Sequence, residues 1–276
     1  MKVKEIIPSL LKMARLNRLN PQQLNQPTPA DLPLTVSCTS IPSRFHVIDK
    51  TIRSVLSQST PPERMILWLH ERHKNTLPDS LTRMVGDKFK IHYTTLDSPH
   101  CKLVPTLLAE PGKTIVTCDD DLIYEPNWLN SLWLSHQRWP DDIICHIARR
   151  ISYADDGTPL PYKQWGTVKE QGVTERNLLP LGYGGVLYPA NRMPTLATDS
   201  ERYLTLAPKA DDLWFKAVTQ SHGINSRTSL NPSSAPYPMP NSQTISLQKT
   251  NVREDGNRLQ WIALAAHFQL EPVRSA

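Results

Sequence analysis

The strongest constraint on the fold is that short apolar runs alternate with segments of helical periodicity after residue 33. The runs LTVSCTS, MILWL, KIHYTT and TIVTC begin at Leu34, Met65, Lys90 and Thr114. They have the length and side-chain content of buried strands. Apolar residues at helical spacing lie between the first and second runs and predict a helix there. A further helix is expected around residues 80–85. This alternation predicts an α/β fold with a mostly parallel sheet flanked by helices.

Composition narrows the class of protein without selecting a function. A chain of 276 residues with 39% hydrophobic and 21% charged residues can form a packed core without disulfide or metal crosslinks. The net charge of +5 is mild and compatible with nucleotide phosphates, anionic lipid or nucleic acid. The cysteines are far apart with no CxxC pair, which argues against a structural zinc site and favours a reducing cytoplasm.

Residues 1–33 differ from the remainder of the chain. Residues 1–19 alternate apolar and basic side chains, and Pro8 predicts that any helix begins there. A basic amphipathic helix over residues 8–19 would rest on an anionic membrane surface or pack on the main domain. Residues 20–33 are rich in proline and glutamine and predict a linker before a main domain over residues 34–276.

Three consecutive carboxylates, Asp119, Asp120 and Asp121, follow directly after the fourth apolar run. Ligands of parallel sheets bind beyond the carboxyl ends of the strands, so this is where a site is expected. Oxygen ligands suit Mg²⁺ or Mn²⁺, which would hold a diphosphate. The alternative is that these residues cap a helix or form a turn. A calcium-binding EF-hand loop is excluded because its glycine and glutamate are missing.

The stretch IVTCDDDLIYEPNWL resembles the DxD segment of bacterial GT-A glycosyltransferases of the polysaccharide-biosynthesis type. VSCTSIPSR resembles their first strand and nucleotide-contacting loop, and DSPHCKLVPTL resembles their "GPxxKLxP" stretch. LPLGYGGVLYP resembles a glycine-rich sugar-site segment, and KADDLWFKA resembles the acidic motif that supplies the base in inverting members. The resemblance covers about residues 34–268, with a nucleotide-binding half over 34–121 and an acceptor half over 122–268.

The resemblance implies a role for each matching residue. Asp121 would bind the metal, and Asp119 would contact the ribose or the metal. Asp212, or else Asp211, would be the catalytic base. The other donor-binding positions implied are Thr39, Ser40, Arg44, Lys102, Asp120, Gly184 and Gly185. The third protein ligand of the metal is left open, with His222 and His267 as candidates.

The resulting hypothesis is a metal-dependent transfer of sugar from a nucleotide-sugar, with a UDP-sugar favoured. The acceptor would be a glycan or lipid-linked acceptor in bacterial surface polysaccharide synthesis, such as capsule or lipopolysaccharide, and the transfer would be inverting. We expect a cytoplasmic enzyme, with peripheral contact at the inner face of the cytoplasmic membrane and no nucleic-acid partner. The alternatives are a nucleotidyltransferase acting on sugar phosphates and a non-catalytic basic binding module. The loop TSIPSRF lacks the glycine expected of the first alternative.

Overall fold

The computed structural model describes residues 3–240 and 249–273. The α-helices within these residues are α1 (Val3–Asn17), α2 (Pro21–Leu24), α3 (Ile48–Leu56), α4 (Asp79–Thr82), α5 (Val104–Ala109), α6 (Trp128–Arg138), α7 (Ser200–Leu206), α8 (Asp211–Ser221) and α9 (Gly256–Phe268).

The strands within the same residues are β1 (Leu32–Thr39), β2 (Pro62–His70), β3 (Phe89–Thr94), β4 (Thr114–Thr117), β5 (Leu122–Ile123), β6 (Ile143–Cys145), β7 (Ala148–Arg150), β8 (Gly166–Thr167), β9 (Leu178–Pro180), β10 (Val186–Tyr188), β11 (Ser226–Thr228) and β12 (Tyr237–Pro238).

The central sheet of the described residues has seven strands in the order β11-β6-β10-β4-β1-β2-β3. The four predicted strands pair in parallel in the order β4-β1-β2-β3, and β11 pairs in parallel with β6. Strand β10 enters antiparallel between β4 and β6. The mostly parallel α/β sheet predicted from the sequence is therefore confirmed. The carboxyl ends of β1, β2 and β4 lie at one edge of the sheet. The acidic residues Asp119–Asp121 follow β4 at this edge.

The core lies on both faces of this sheet, as the strand period requires. Neighbouring residues of a strand point to opposite faces. Thus Ile115 packs in the cluster that contains Trp214 of α8 and Trp261 of α9, whereas Val116 packs in the cluster that contains Ile52 of α3. Helices therefore cover both faces, which explains why these strands are apolar throughout.

The N-terminal region differs from its prediction in two respects. Helix α1 begins at Val3 and runs through Pro8, so the helix does not start at the proline. A proline removes only one helical hydrogen bond, and the helix continues on both sides of it. Within the predicted linker, the Asn25 side-chain amide donates to the Met84 carbonyl at 2.8 Å, and its oxygen accepts from the Phe89 amide at 2.9 Å. Asn25 is therefore fixed on the main domain, whereas most of residues 20–33 are exposed.

In the part of the chain that the structure describes, none of the helices combines the length and the apolar character needed to cross a membrane.

Candidate active site

A cleft of about 810 Å³ opens at the carboxyl edge of the central sheet. One wall comes from the residues that follow β1, β2 and β4, and the other comes from residues 179–183 and the start of α8. Asn251, Val252 and Asn257 line it as well. Its volume lies within the range of about 300–1,000 Å³ that is usual for small-molecule sites.

The acidic turn is held in place by α3 and by the loop after β1. The Thr51 hydroxyl lies 3.0 Å from the Asp120 carbonyl oxygen and 2.8 Å from the Leu122 carbonyl oxygen. The Ser40 hydroxyl donates to Asp120 Oδ2 at 2.5 Å. These bonds fix the backbone of the turn, so its carboxylates project from a rigid base.

Arg44 neutralises two of the three adjacent carboxylates. Its guanidinium lies 2.6 Å from Asp120 Oδ1 and 3.3 Å from Asp121 Oδ2. Burial raises the pKa of Asp120, and the Arg44 charge and the Ser40 hydrogen bond oppose that rise. Arg44 is therefore a counter-ion of the acidic turn inside the cleft.

Lys102 connects the acidic turn to the second acidic pair. Its Nζ lies 3.1 Å from Asp119 Oδ1 and 3.0 Å from Asp211 Oδ2, and its side chain is only 11% exposed. Burial alone would lower the pKa of Lys102. The nearby carboxylates Asp119, Asp211 and Asp212 hold that pKa well above its ordinary value. A permanent positive charge therefore sits between the two walls of the cleft.

Asp211 and Asp212 form the first turn of α8, where the partial positive charge of the helix terminus favours anions. Asp212 Oδ2 accepts a hydrogen bond from the Gly182 amide at 3.0 Å. Burial and then the neighbouring Asp211 raise the pKa of Asp212 to about 7, despite the opposing effect of Lys102 and Gly182. A carboxylate with a pKa near neutrality is suited to accept a proton from a substrate.

The glycine-rich segment meets Asp212 through Gly182. A Cβ on Gly182 would lie 2.7 Å from Lys102 Nζ and 2.8 Å from Asp212 Oδ1, so a side chain there would displace these charged groups. The next residue, Tyr183, lines the cleft with 41% of its surface exposed. Its carbonyl accepts from the Tyr124 hydroxyl at 3.1 Å, and that hydroxyl accepts from the Asp119 amide at 2.9 Å. Tyr124 thereby fixes the two walls relative to each other.

The carboxylate oxygens of the acidic turn suit a hard divalent cation, but they can supply only some of its ligands. No group of three His, Cys, Asp or Glu side chains able to hold a metal occurs among the described residues. Arg44 already balances Asp120 and lies near Asp121, whereas Asp119 is partly exposed. The residues therefore fit a Mg²⁺ or Mn²⁺ ion that takes one or two carboxylates from the protein and the remaining ligands from substrate phosphates and water.

Most of the residues singled out from the sequence lie together in this cleft. Those that line it are Thr39, Ser40, Arg44, Lys102, Asp119, Asp120, Asp121, Asp211 and Asp212. The two suggested histidine ligands do not: His222 lies at the far end of α8, hydrogen-bonded to the Val218 carbonyl, and His267 lies near the end of α9. Neither can complete a metal site at the acidic turn.

Gly184 and Gly185 are likewise absent from the cleft lining. A Cβ on Gly184 would lie 2.7 Å from the Ile147 side chain, and one on Gly185 would lie 2.5 Å from the Trp128 indole nitrogen. These glycines allow close packing inside the protein, and their approach to a sugar stays a prediction. Gly182 also lies outside the lining, but its amide donates to Asp212 Oδ2, which does line the cleft.

The sequence interpretation missed a group of nitrogen-bearing side chains at the end of β2. His70, the last residue of β2, and Arg72 and His73, which follow it, line the cleft. Arg72 also lies 2.5 Å from Asp97, another residue of the cleft wall. The signal was present, because HERH follows the second apolar run directly and ligands bind beyond the carboxyl ends of such strands. That rule was applied only to the fourth strand.

Comparisons with known proteins found a likeness in structure only. The sequence matches no protein-family model, and no curated protein matches it. Among solved structures, S. aureus TarS 1-349 in complex with UDP aligns with a TM-score of 0.50 and 14% identity, over 88% of this chain and 67% of that one. The same protein in complex with UDP-GlcNAc gives a TM-score of 0.49 at 14% identity, over 88% and 68%.

A third solved structure, 4-diphosphocytidyl-2C-methyl-D-erythritol synthase from Anaerococcus prevotii, has a TM-score of 0.43 and 13% identity, over 73% of this chain and 88% of that one. Identities this low show the fold alone, and only the first alignment is close enough to support an argument. The chain therefore has the GT-A-like α/β fold, similar to that of S. aureus TarS.

Proposed function

We propose that the protein is a glycosyltransferase that moves a sugar from a nucleotide-sugar to a hydroxyl group of a glycan or lipid-linked acceptor. One observation carries this proposal. Two acidic groups, Asp119–Asp121 and Asp211–Asp212, line one cleft at the carboxyl edge of the sheet and share the ammonium group of Lys102. One group suits a donor diphosphate, and the other suits the proton of an acceptor.

The donor side is the wall formed after β1, β2 and β4. The cationic side chains of Arg72 and Lys102 would attract the diphosphate of the donor. A Mg²⁺ or Mn²⁺ ion held by Asp119 and Asp121 would supply further positive charge for the leaving diphosphate. A UDP-sugar is favoured because the S. aureus TarS structure that aligns with a TM-score of 0.50 is a complex with UDP.

The acceptor side is the wall formed by Tyr183 and the start of α8. In an inverting transfer, the acceptor oxygen forms a bond to the anomeric carbon while the bond from that carbon to the diphosphate breaks. Asp212 takes the acceptor's proton, and the diphosphate leaves with the electron pair. The raised pKa of Asp212, about 7, suits such a base, and a positioned base contributes about 10²–10⁴-fold in rate. The motif resemblance further supports an acceptor in bacterial surface polysaccharide, such as capsule or lipopolysaccharide.

A nucleotide screen tests this proposal. Thermal stability is measured with UDP, GDP, CDP and ATP, each with and without Mn²⁺, for wild type and for Asp121→Ala. We expect stabilisation by one nucleoside diphosphate that requires metal and is lost in Asp121→Ala. Asp155→Ala, at an exposed carboxylate outside the cleft lining, is the matched control and should respond as wild type does.

The same screen separates the competing functions. Stabilisation by a nucleoside triphosphate, together with diphosphate release from that nucleotide and a sugar phosphate, would establish a nucleotidyltransferase instead. The absence of any nucleotide response would contradict both enzymes and favour a binding module. Hydrolysis of one UDP-sugar to UDP by wild type, but not by Asp121→Ala, would support the glycosyltransferase directly.

A further inference from the structure

Helix α1 has an inner face that packs on the domain. Leu16 is 7% exposed and lies in a cluster with Val47, Ile123 and Met239. The Ser9 hydroxyl donates to the Pro238 carbonyl at 2.9 Å. The described part of the helix is thus anchored by its own contacts, and its orientation on the domain is fixed.

The opposite face of α1 carries a second apolar stripe, which no part of the described chain covers. Ile7, Leu10, Leu11 and Ala14 follow the spacing i, i+3, i+4, i+7, so they lie on one side of the helix. Ile7 is 69% exposed, Leu10 is 50% exposed and Leu11 is 67% exposed. Single exposed apolar residues are ordinary, but three large ones in a row on one helix indicate a contact surface.

Two arginines without an acidic partner among the described residues extend the same side toward the C-terminal end of the helix. Arg15 and Arg18 follow Leu11 at i+4 and i+7, and both are exposed. Neither forms an ion pair with an acidic residue among the described part of the chain, whereas Lys12 on the inner side pairs with Glu125 at 2.8 Å. The outer face therefore joins an apolar stripe to a cationic end.

We propose that this outer face of α1 binds an anionic lipid surface, with the apolar stripe at the acyl boundary and the arginines at the headgroups. Apolar burial and attraction to anionic lipid add in such helices. A second copy of this chain fits less well, because pairing two such faces would bring arginines together without acids to balance them.

The position of α1 ties this surface to the cleft. The helix contacts β5, the strand that directly follows Asp121. A lipid surface bound to α1 would therefore lie about one helix diameter, roughly 10 Å, from β5. Under the proposed function, on which this link to the acceptor rests, a cleft held beside a bilayer could reach an acceptor that is anchored in the bilayer.

The test is co-sedimentation of the full chain with vesicles of phosphatidylglycerol and phosphatidylcholine, and separately with pure phosphatidylcholine. We expect binding to the anionic vesicles that weakens as salt is raised. The double variant Leu10→Ser/Leu11→Ser should reduce the partition coefficient about tenfold, since each buried apolar side chain contributes to binding. Arg15→Gln/Arg18→Gln should give a similar loss on anionic vesicles.

Matched controls isolate the surface. Leu108→Ser/Leu134→Ser removes two leucines of similar exposure elsewhere, and Arg83→Gln removes an exposed arginine; all should bind as wild type does. The proposal is overturned if wild type fails to bind, if the α1 variants bind unchanged, or if binding ignores lipid charge. It is also overturned if Leu10→Ser/Leu11→Ser instead dissolves a dimer seen by analytical ultracentrifugation. Vesicle binding without any transferase activity would keep this proposal and contradict the proposed function.

Discussion

The ammonium group of Lys102 lies 3.0 Å from a carboxylate oxygen of Asp211, although the two residues are 109 positions apart in the sequence. The same ammonium group lies 3.1 Å from Asp119. A single buried cation therefore balances carboxylates from two regions of the sequence, and the charge state of each wall of the cleft depends on the other.

Replacing Lys102 with methionine should remove this balance while keeping the volume of the side chain. We expect a loss of about 3 kcal/mol in the free energy of unfolding, because breaking a buried ion pair leaves uncompensated charge. Turnover should fall at least a hundredfold. Lys113→Met, at an exposed pair with Glu63, is the control and should change stability by less than about 0.5 kcal/mol. Urea unfolding and initial rates measure both effects; equal stability of the two variants would contradict the central role of Lys102.

Asp212→Asn keeps the shape of the side chain and removes its basicity. If Asp212 is the base, turnover should fall at least a hundredfold while the affinity for the donor nucleotide, measured by calorimetry, stays near that of wild type. Asp155→Asn, at an exposed position outside the cleft lining, should keep full activity. NMR of the product should show an anomeric configuration opposite to that of the donor. Retention of configuration would refute the assignment of the base.

The pKa of Asp212 predicts how activity and stability depend on pH. With that pKa raised to about 7, kcat should increase as pH rises through 7, since only the carboxylate accepts a proton. In the folded protein the group binds a proton that the unfolded chain has already lost, so its contribution to stability declines as pH rises from about 4 to 7. Asp212→Asn should therefore gain stability relative to wild type over that interval. A difference in stability between Asp212→Asn and wild type that stays constant over this pH interval would contradict the raised pKa.

Gly185 should be intolerant of any side chain. Its φ is +100°, and a Cβ there would lie 2.5 Å from the Trp128 indole. We expect Gly185→Ala to lower the free energy of unfolding by about 2–4 kcal/mol, from backbone strain and overpacking together. Gly166→Ala is the control, because its Cβ would meet nothing within 4 Å. Thermal unfolding of the two variants compares them, and similar melting temperatures would show that the packing described for Gly185 is wrong.

Lys216 should lower stability at neutral pH. It is 3% exposed and lines a small cavity beneath Asp212, and burial lowers its pKa to about 7. The unfolded chain binds a proton there up to about pH 10, so the wild-type protein gains stability as pH rises above 7. Lys216→Met should be more stable than wild type by about 3 kcal/mol at pH 7, and by clearly less at pH 9. Denaturant unfolding at both pH values measures this; a difference that widens with pH would contradict it.

Local pattern was enough to identify the four parallel strands and the edge of the sheet where the cleft lies. Strands β1, β2 and β4 are mainly apolar because both of their faces are largely buried, and such runs are visible without a structure, whereas β3 is more polar and partly exposed. The acidic triplet was found because it follows one of these runs directly. Pro8 and the proline-rich segment at residues 20–33 misled for the same reason: both are local signals that longer-range packing overrode, through contacts such as that of Asn25 with Met84.

The sequence by itself determined the α/β class, the parallel strands and the position of the carboxylates along the chain, because each depends on residues that are neighbours or follow one period. The tertiary structure alone decided that Lys102 joins Asp119 to Asp211, that Gly182 and not Gly184 or Gly185 meets Asp212, and that α1 shows an apolar face to solvent. These relationships depend on the packing of distant segments, where burial shifts the pKa values and the neighbouring side chains decide what each glycine contacts.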